Sequence, residues 1–166
     1  VIIENYRTGG AESLGVDYAA VKKINPNIIY CSISGYGRTG PDANKPGYDF
    51  AIQAEAGLMS ITGPVDGTPY RTGTAVADIA TGQNAAMAIL AALIHRMKTG
   101  DGQAIEISLF DSQLQLLANS ASTVLFSGND AKRLGNQHPS IVPYQVFSAS
   151  DGYFVLAVAS EKLWRH

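Results

Sequence analysis

Asp78 stands near the middle of GTAVADIATG, the run of small residues from Gly73 to Gly82. That run leads straight into the longest helical pattern in the chain, Ile79 to about Lys98. A carboxylate at a helix start faces the unpartnered N–H groups of the first turn and the positive end of the helix dipole. Two roles fit it. Asp78 is an N-cap, a contribution of about 0.5–2 kcal/mol, or those N–H groups keep a partly buried carboxylate ionised and aimed as a nucleophile. The roles are compatible. Elsewhere, Arg7 and Arg38 follow strand-like runs at points suited to a phosphorylated ligand, although a solvated surface charge explains each equally simply. Tyr48 and Asp49 open a helical stretch where both could face a pocket. His95 and His138 have no second ligand at metal spacing, so no metal site is expected.

The elements around these residues alternate. Val1–Glu4 is a short apolar run of the kind found in buried parallel strands. Asp17 is placed to cap a helix over Tyr18–Ile24, ended by Pro26. Asn27–Ser34 is a second strand. Strand, helix, strand at this spacing is the βαβ rhythm of an open α/β sheet, whose ligands sit beyond the carboxyl ends of the strands. Those ends are Asn5–Arg7 and Ser34–Arg38. Neither loop carries GxGxxG or GxxxxGK[ST], so no nicotinamide or nucleoside triphosphate site is inferred.

Further along, Tyr48–Met59 reads as a helix. The helix after Asp78 is narrowed by alanines and closed by Gly100. Gln103–Phe110 alternates as a strand, and Asp111 caps a second long helix over Leu114–Phe126. Tyr144–Phe147 and Tyr153–Ala159 pair as a hairpin. The change from α/β alternation to antiparallel β places a boundary near residues 120–140.

With 166 residues, 46% hydrophobic, the chain can bury an ordinary core. A net charge of −2 gives no footprint for nucleic acid or an anionic membrane. The single Cys31 excludes an internal disulfide and suits a reducing cytoplasm. No stretch reads as a bilayer span; Ala85–Ile94 reads as a core helix. The chain opens inside a strand pattern at Val1 and stops in what looks like a new helix at Trp164–His166, so it reads as a piece of a longer protein.

Several stretches, in order, resemble one family, the class III CoA-transferases with their relatives the 2-methylacyl-CoA racemases. They are VIIENYRTGGAESLG (1–15), NPNIIYCSISGYGRTG (25–40), PGYD (46–49), GLMSITGPVDG (57–67), ADIATG (77–82), HRMKTGDGQAIEISLFDSQ (95–113) and GNQHPSIVPYQVFSASD (135–151). The resemblance implies an α/β fold: part of a Rossmann-like open-sheet, CoA-binding domain over 1–120, a linker over 121–140, and the start of a small α+β domain over 141–166. It also implies an interlocked, ring-like homodimer and family members of about 400 residues.

By that resemblance Asp78 is the catalytic nucleophile. It takes an acyl group from a donor acyl-CoA as an anhydride, then CoA as an aspartyl thioester, and passes CoA to an acceptor acid. Backbone N–H groups at the helix start, or near Gly82, are expected to stabilise the oxyanion. Asn5 and Tyr6 match CoA-contacting positions, with Arg7 beside them. The formyl-CoA:oxalate members carry an Arg where this chain has Ser13, which leaves Arg7, Arg38 and Lys45 as phosphate partners. Tyr48 matches a tyrosine lining the acyl pocket, and Gly82 is expected in the same substrate pocket. Coenzyme A enters as substrate, and no permanently bound cofactor is implied. The racemases place a histidine at the Tyr48 position; a phenol is a poor base at neutral pH, so transfer is preferred to α-proton exchange. PGYD, GLMSITG and IVPYQ also resemble the dicarboxyl-CoA transferases of the family, with succinyl-CoA donors and glutarate-like acceptors. The reading of another class is a truncated, non-catalytic interaction fragment.

Overall fold

The computed structural model describes residues 1–165, so that of the expected terminal helix only His166 lies outside them. In chain order the elements are β1 (Ile2–Glu4), α1 (Gly10–Ser13), α2 (Tyr18–Ile24), β2 (Ile29–Ser34), α3 (Asp49–Glu55) and α4 (Leu58–Ile61). There follow α5 (Val76–Thr99), β3 (Gln103–Ser108), α6 (Leu109–Gln115), α7 (Ala118–Ser127), β4 (Tyr144–Ala149), β5 (Gly152–Ala157) and α8 (Glu161–Trp164).

Strands β1, β2 and β3 form a parallel sheet in that order, with Ile2 opposite Tyr30 and Cys31 opposite Ile105. Helix α5 lies across it. Ala85, Ile89 and Ala92 pack on Ile29, Cys31 and Ile105, all buried. The alanines let the helix approach the sheet closely, and each isoleucine so covered contributes about 1.5–3 kcal/mol. Ile52, Ala56, Ala77 and Leu109 form a second cluster, and Ile33 touches both. The start of α5 is thus packed against α3 and α6 while its middle is packed on the sheet. Strands β4 and β5 form a separate antiparallel hairpin.

Local chemistry sets several boundaries. Asp17 Oδ1 accepts from the N–H groups of Ala19 (2.8 Å) and Ala20 (3.1 Å), capping α2 as expected. Gly100, with φ of 86°, ends α5 by donating its N–H to Arg96 O at 2.8 Å.

Four expectations need correction. The helix expected over Tyr48–Met59 turns at Gly57 and is two helices, α3 and α4. The strand expected to reach Phe110 stops at Ser108, whose Oγ accepts from the N–H of Asp111 at 3.0 Å. Ser108, not Asp111, is therefore the cap, and S-x-x-D was a readable capping signature. The following helix breaks at Leu116–Leu117 into α6 and α7. Finally, the 24-residue α5 does have the length and composition of a membrane-crossing helix, although one side of it covers the sheet.

Candidate active site

A cavity of about 610 Å³ opens at the carboxyl ends of β1 and β2, where the topology of an open α/β sheet places ligands. Its wall comes from six places in the chain, one of them Leu109 at the start of α6. The exit of β1 supplies Glu4–Thr8, the exit of β2 supplies Ser34, Gly35 and Arg38, and the following loop supplies Ala43–Gly47. Tyr48 and Asp49 come from the start of α3, and Asp78, Thr81 and Gly82 from α5. All eight residues singled out from the sequence (Asn5, Tyr6, Arg7, Arg38, Lys45, Tyr48, Asp78 and Gly82) line this one cavity.

Asp78 is not the N-cap. Helix α5 begins at Val76, three residues earlier than expected, so Asp78 is the third residue of its first turn. The capping is done from α3: Asp49 Oδ1 accepts the N–H of Ala77 at 2.8 Å. The Val76 N–H goes to Thr74 O (2.9 Å) and the Ile79 N–H to Ala75 O (3.0 Å). Most of the helix-start donors expected for an oxyanion are therefore spent. Gly82 sits inside the helix, where its N–H belongs to the helical ladder.

The electrostatics also differ from expectation. Partial burial, with the Asp49 carboxylate as the second cause, holds the Asp78 carboxyl above the usual aspartate range. The helix end does not outweigh those two effects. A more basic carboxylate is the better nucleophile once ionised.

The three cations differ. The Arg38 guanidinium is engaged by Glu4 (2.8 and 3.0 Å), Ser32 Oγ (2.8 Å), Tyr6 O (2.7 Å) and Ile33 O (3.2 Å). It ties the ends of β1 and β2 together and holds the loop bearing Tyr6. Lys45 pairs with Glu55 at 2.6 Å and lies 4.7 Å over the Tyr36 ring. Tyr36 donates its hydroxyl to the same Glu55 oxygen at 2.9 Å. The Lys45 and Tyr36 contacts lower the Glu55 carboxyl, and Glu55 raises Lys45. Arg7 is exposed, and among the described residues its guanidinium has no ion-pair or hydrogen-bond partner. Ser13 turns back to Gly10 O at 2.8 Å and takes no part in the cavity wall.

Tyr48 is 68% exposed and lines the open cavity. Glu4 and Gln53 escaped sequence reading. Glu4 is paired with a residue 34 positions away, and Gln53 with partners 19 and 21 positions away, so neither leaves a local pattern.

The family model for CoA-transferase family III matches residues 1–166. The chain is 48% identical over 165 residues to a succinate–glutarate CoA-transferase of Agrobacterium fabrum, covering 99% of this chain and 41% of that protein. It is 46% identical over 162 residues to the succinyl-CoA:glutarate CoA-transferase of Homo sapiens, covering 98% and 37%. The chain thus spans about two fifths of the length of these curated relatives. Among solved structures it superposes on a CAIB/BAIF family protein from Brucella suis with a TM-score of 0.88 and 52% identity, over 93% of this chain and 41% of that one. The cavity at the strand ends, the aspartate on its wall and these matches agree: the chain belongs to CoA-transferase family III.

Proposed function

We propose that the protein containing this chain moves coenzyme A from a dicarboxylic acyl-CoA, such as succinyl-CoA, to an acid such as glutarate, with Asp78 as the covalent carrier. The observation that carries this is Asp78 on the wall of a 610 Å³ cavity shared with Tyr48 and the Asn5–Arg7 loop. The names of the 46–48% identical relatives support the acid class.

The steps follow from the groups present. The ionised Asp78 oxygen attacks the thioester carbonyl, breaking the C–S bond and giving an anhydride and CoA thiolate. The thiolate attacks the Asp78 carbonyl, releasing the donor acid and leaving an aspartyl thioester. The acceptor carboxylate then attacks that carbonyl, expelling the thiolate again. The thiolate finally takes the acceptor's acyl carbon, and Asp78 is returned as a carboxylate. No proton has to move, so no general base is required, and Tyr48 serves to shape the acyl site. Holding the reactants together in one cavity lowers much of the barrier.

Arg7, beside Asn5 and Tyr6, is the cation best placed for a CoA phosphate. The remaining length present in the relatives, an interlocked dimer and a cytoplasmic setting complete this reading; the 166 residues alone are expected to show no turnover.

The test is trapping on the full-length protein. Succinyl-CoA followed by hydroxylamine should place a mass shift on the peptide carrying Asp78 and on no other. Label elsewhere, or α-proton exchange with deuterated water without acid-dependent CoA transfer, would overturn the assignment.

A further inference from the structure

The turn that delivers Asp78 is gripped from α3. Gln53 is wholly buried, and its Oε1 accepts from the N–H (2.9 Å) and hydroxyl (3.2 Å) of Thr72. Its Nε2 donates to Thr74 O (3.3 Å) and Asp49 Oδ2 (2.7 Å). The other oxygen of Asp49 holds the N–H of Ala77. Every donor and acceptor of the Gln53 amide is thereby used. One amide and one carboxylate, a turn apart on α3, hold residues 72, 74 and 77, and the next residue is Asp78.

A stability argument alone does not account for this. Asparagine or serine caps a helix as well as aspartate does, and neither would set a second negative charge near Asp78. We propose that Asp49 and Gln53 are positioning residues for the Asp78 carboxylate, fixing where it stands against the cavity and which charge it feels. The inference rests on the nucleophile reading above.

The other charges around the cavity are balanced or distant in the fold. Arg38, at the β2 exit, is neutralised by Glu4, and Lys45, in the loop before α3, by Glu55. Arg7 is exposed on the β1 loop. Asp49 is the neighbour whose charge raises Asp78.

The experiment uses the full-length protein with Asp49→Asn, Asp49→Glu and Gln53→Met. A carboxyl-carbon NMR titration reads Asp78 directly, without turnover, and steady-state kinetics with succinyl-CoA and glutarate read its placement. Asp49→Asn, which removes the charge but keeps one acceptor, should lower the Asp78 midpoint and move the acid limb of kcat to lower pH. Asp49→Glu should keep the midpoint raised yet lose kcat through its longer arm. Gln53→Met should lower kcat by about 10–100-fold with KM for acyl-CoA unchanged, as a small misplacement of a reacting group does. If Gln53→Met does not fold, Thr72→Val, which removes only the hydroxyl contacts, should lower kcat in the same sense.

An Asp78 midpoint unmoved by Asp49→Asn, or full kcat in folded Gln53→Met or Thr72→Val, overturns the proposal. Full transfer by Asp78→Asn would instead defeat the nucleophile reading. Loss of transfer in Asp78→Asn beside unaffected Asp49 and Gln53 variants defeats the positioning role alone.

Discussion

Gly82 stands one helical turn past Asp78 on the same cavity-facing side of α5, and a Cβ built on it would meet no atom within 4 Å. Glycine inside a helix costs about 0.5–1 kcal/mol relative to alanine. Nothing in the described packing requires it here, so the open space beside Asp78 is what it provides. Gly82→Ala should raise thermal stability by about that amount while reducing transfer by about tenfold or more. Differential scanning calorimetry beside a transfer assay checks both. A variant that is stabilised and fully active would show that the space beside Gly82 is unused.

Asp78 should weigh on stability. Its folded-state carboxyl titrates above the unfolded value because of burial and Asp49. The native state therefore binds the proton more readily, and stability is lost as pH rises from the ordinary aspartate value of about 4 through the raised one. Asp78→Asn should melt higher than wild type at pH 7, with the advantage gone in acid below that window, and should have no transfer activity. Melting curves across pH test the sign: an advantage that grows in acid would contradict it.

Arg7 and Arg38 should separate cleanly. Arg7→Ala should leave melting unchanged and raise KM for acyl-CoA about tenfold, the value of one charge-assisted hydrogen bond, with the difference shrinking in high salt. Arg38→Met strands Glu4, whose side chain is 7% exposed, so it should cost about 3 kcal/mol of stability. Urea unfolding and kinetics on the two variants, compared side by side, distinguish a ligand contact from a brace.

The α/β class, the strands and the α2 cap were legible because their signals are local: apolar runs, and Asp17 two and three residues from its partners. The start of α5 was misread because its cap, Asp49, is 28 residues away and leaves no pattern in the Asp78 stretch. The pairing of Arg38 was not legible for the same reason, since Glu4 is 34 residues distant. The strand overrun to Phe110 has another cause. Leu109 and Phe110 prolong the apolar run, but the Phe110 N–H turns to Gly35 O at 3.0 Å once Ser108 caps the helix. Position on the cavity survived these errors because strand ends and helix starts converge at one edge of the sheet.

Gln113 gives a stability prediction independent of function. It is fully buried in α6, and among the described residues both polar atoms of its amide lack a partner. Gln113→Met keeps the volume and removes the unmet desolvation, so it should be neutral or stabilising by about 1 kcal/mol. Gln113→Ala should be destabilising by about 2 kcal/mol through the cavity it leaves. Chemical unfolding of the two variants checks this, and a Gln113→Met variant clearly less stable than wild type would contradict it.

The loop between β2 and α3 closes on itself where two glycines meet. A Cβ on Gly35 would stand 2.6 Å from the Cα of Gly47, so only bare backbone fits at the crossing. Residues 36–46 therefore hang as a lobe with its ends stitched together, in the manner of an Ω-loop. Insertions or deletions near its tip, around Thr39–Asp42, can change what a relative offers to solvent or to the far end of a long ligand while Tyr48 stays in register. That crossing gives evolution a place to vary reach without disturbing chemistry.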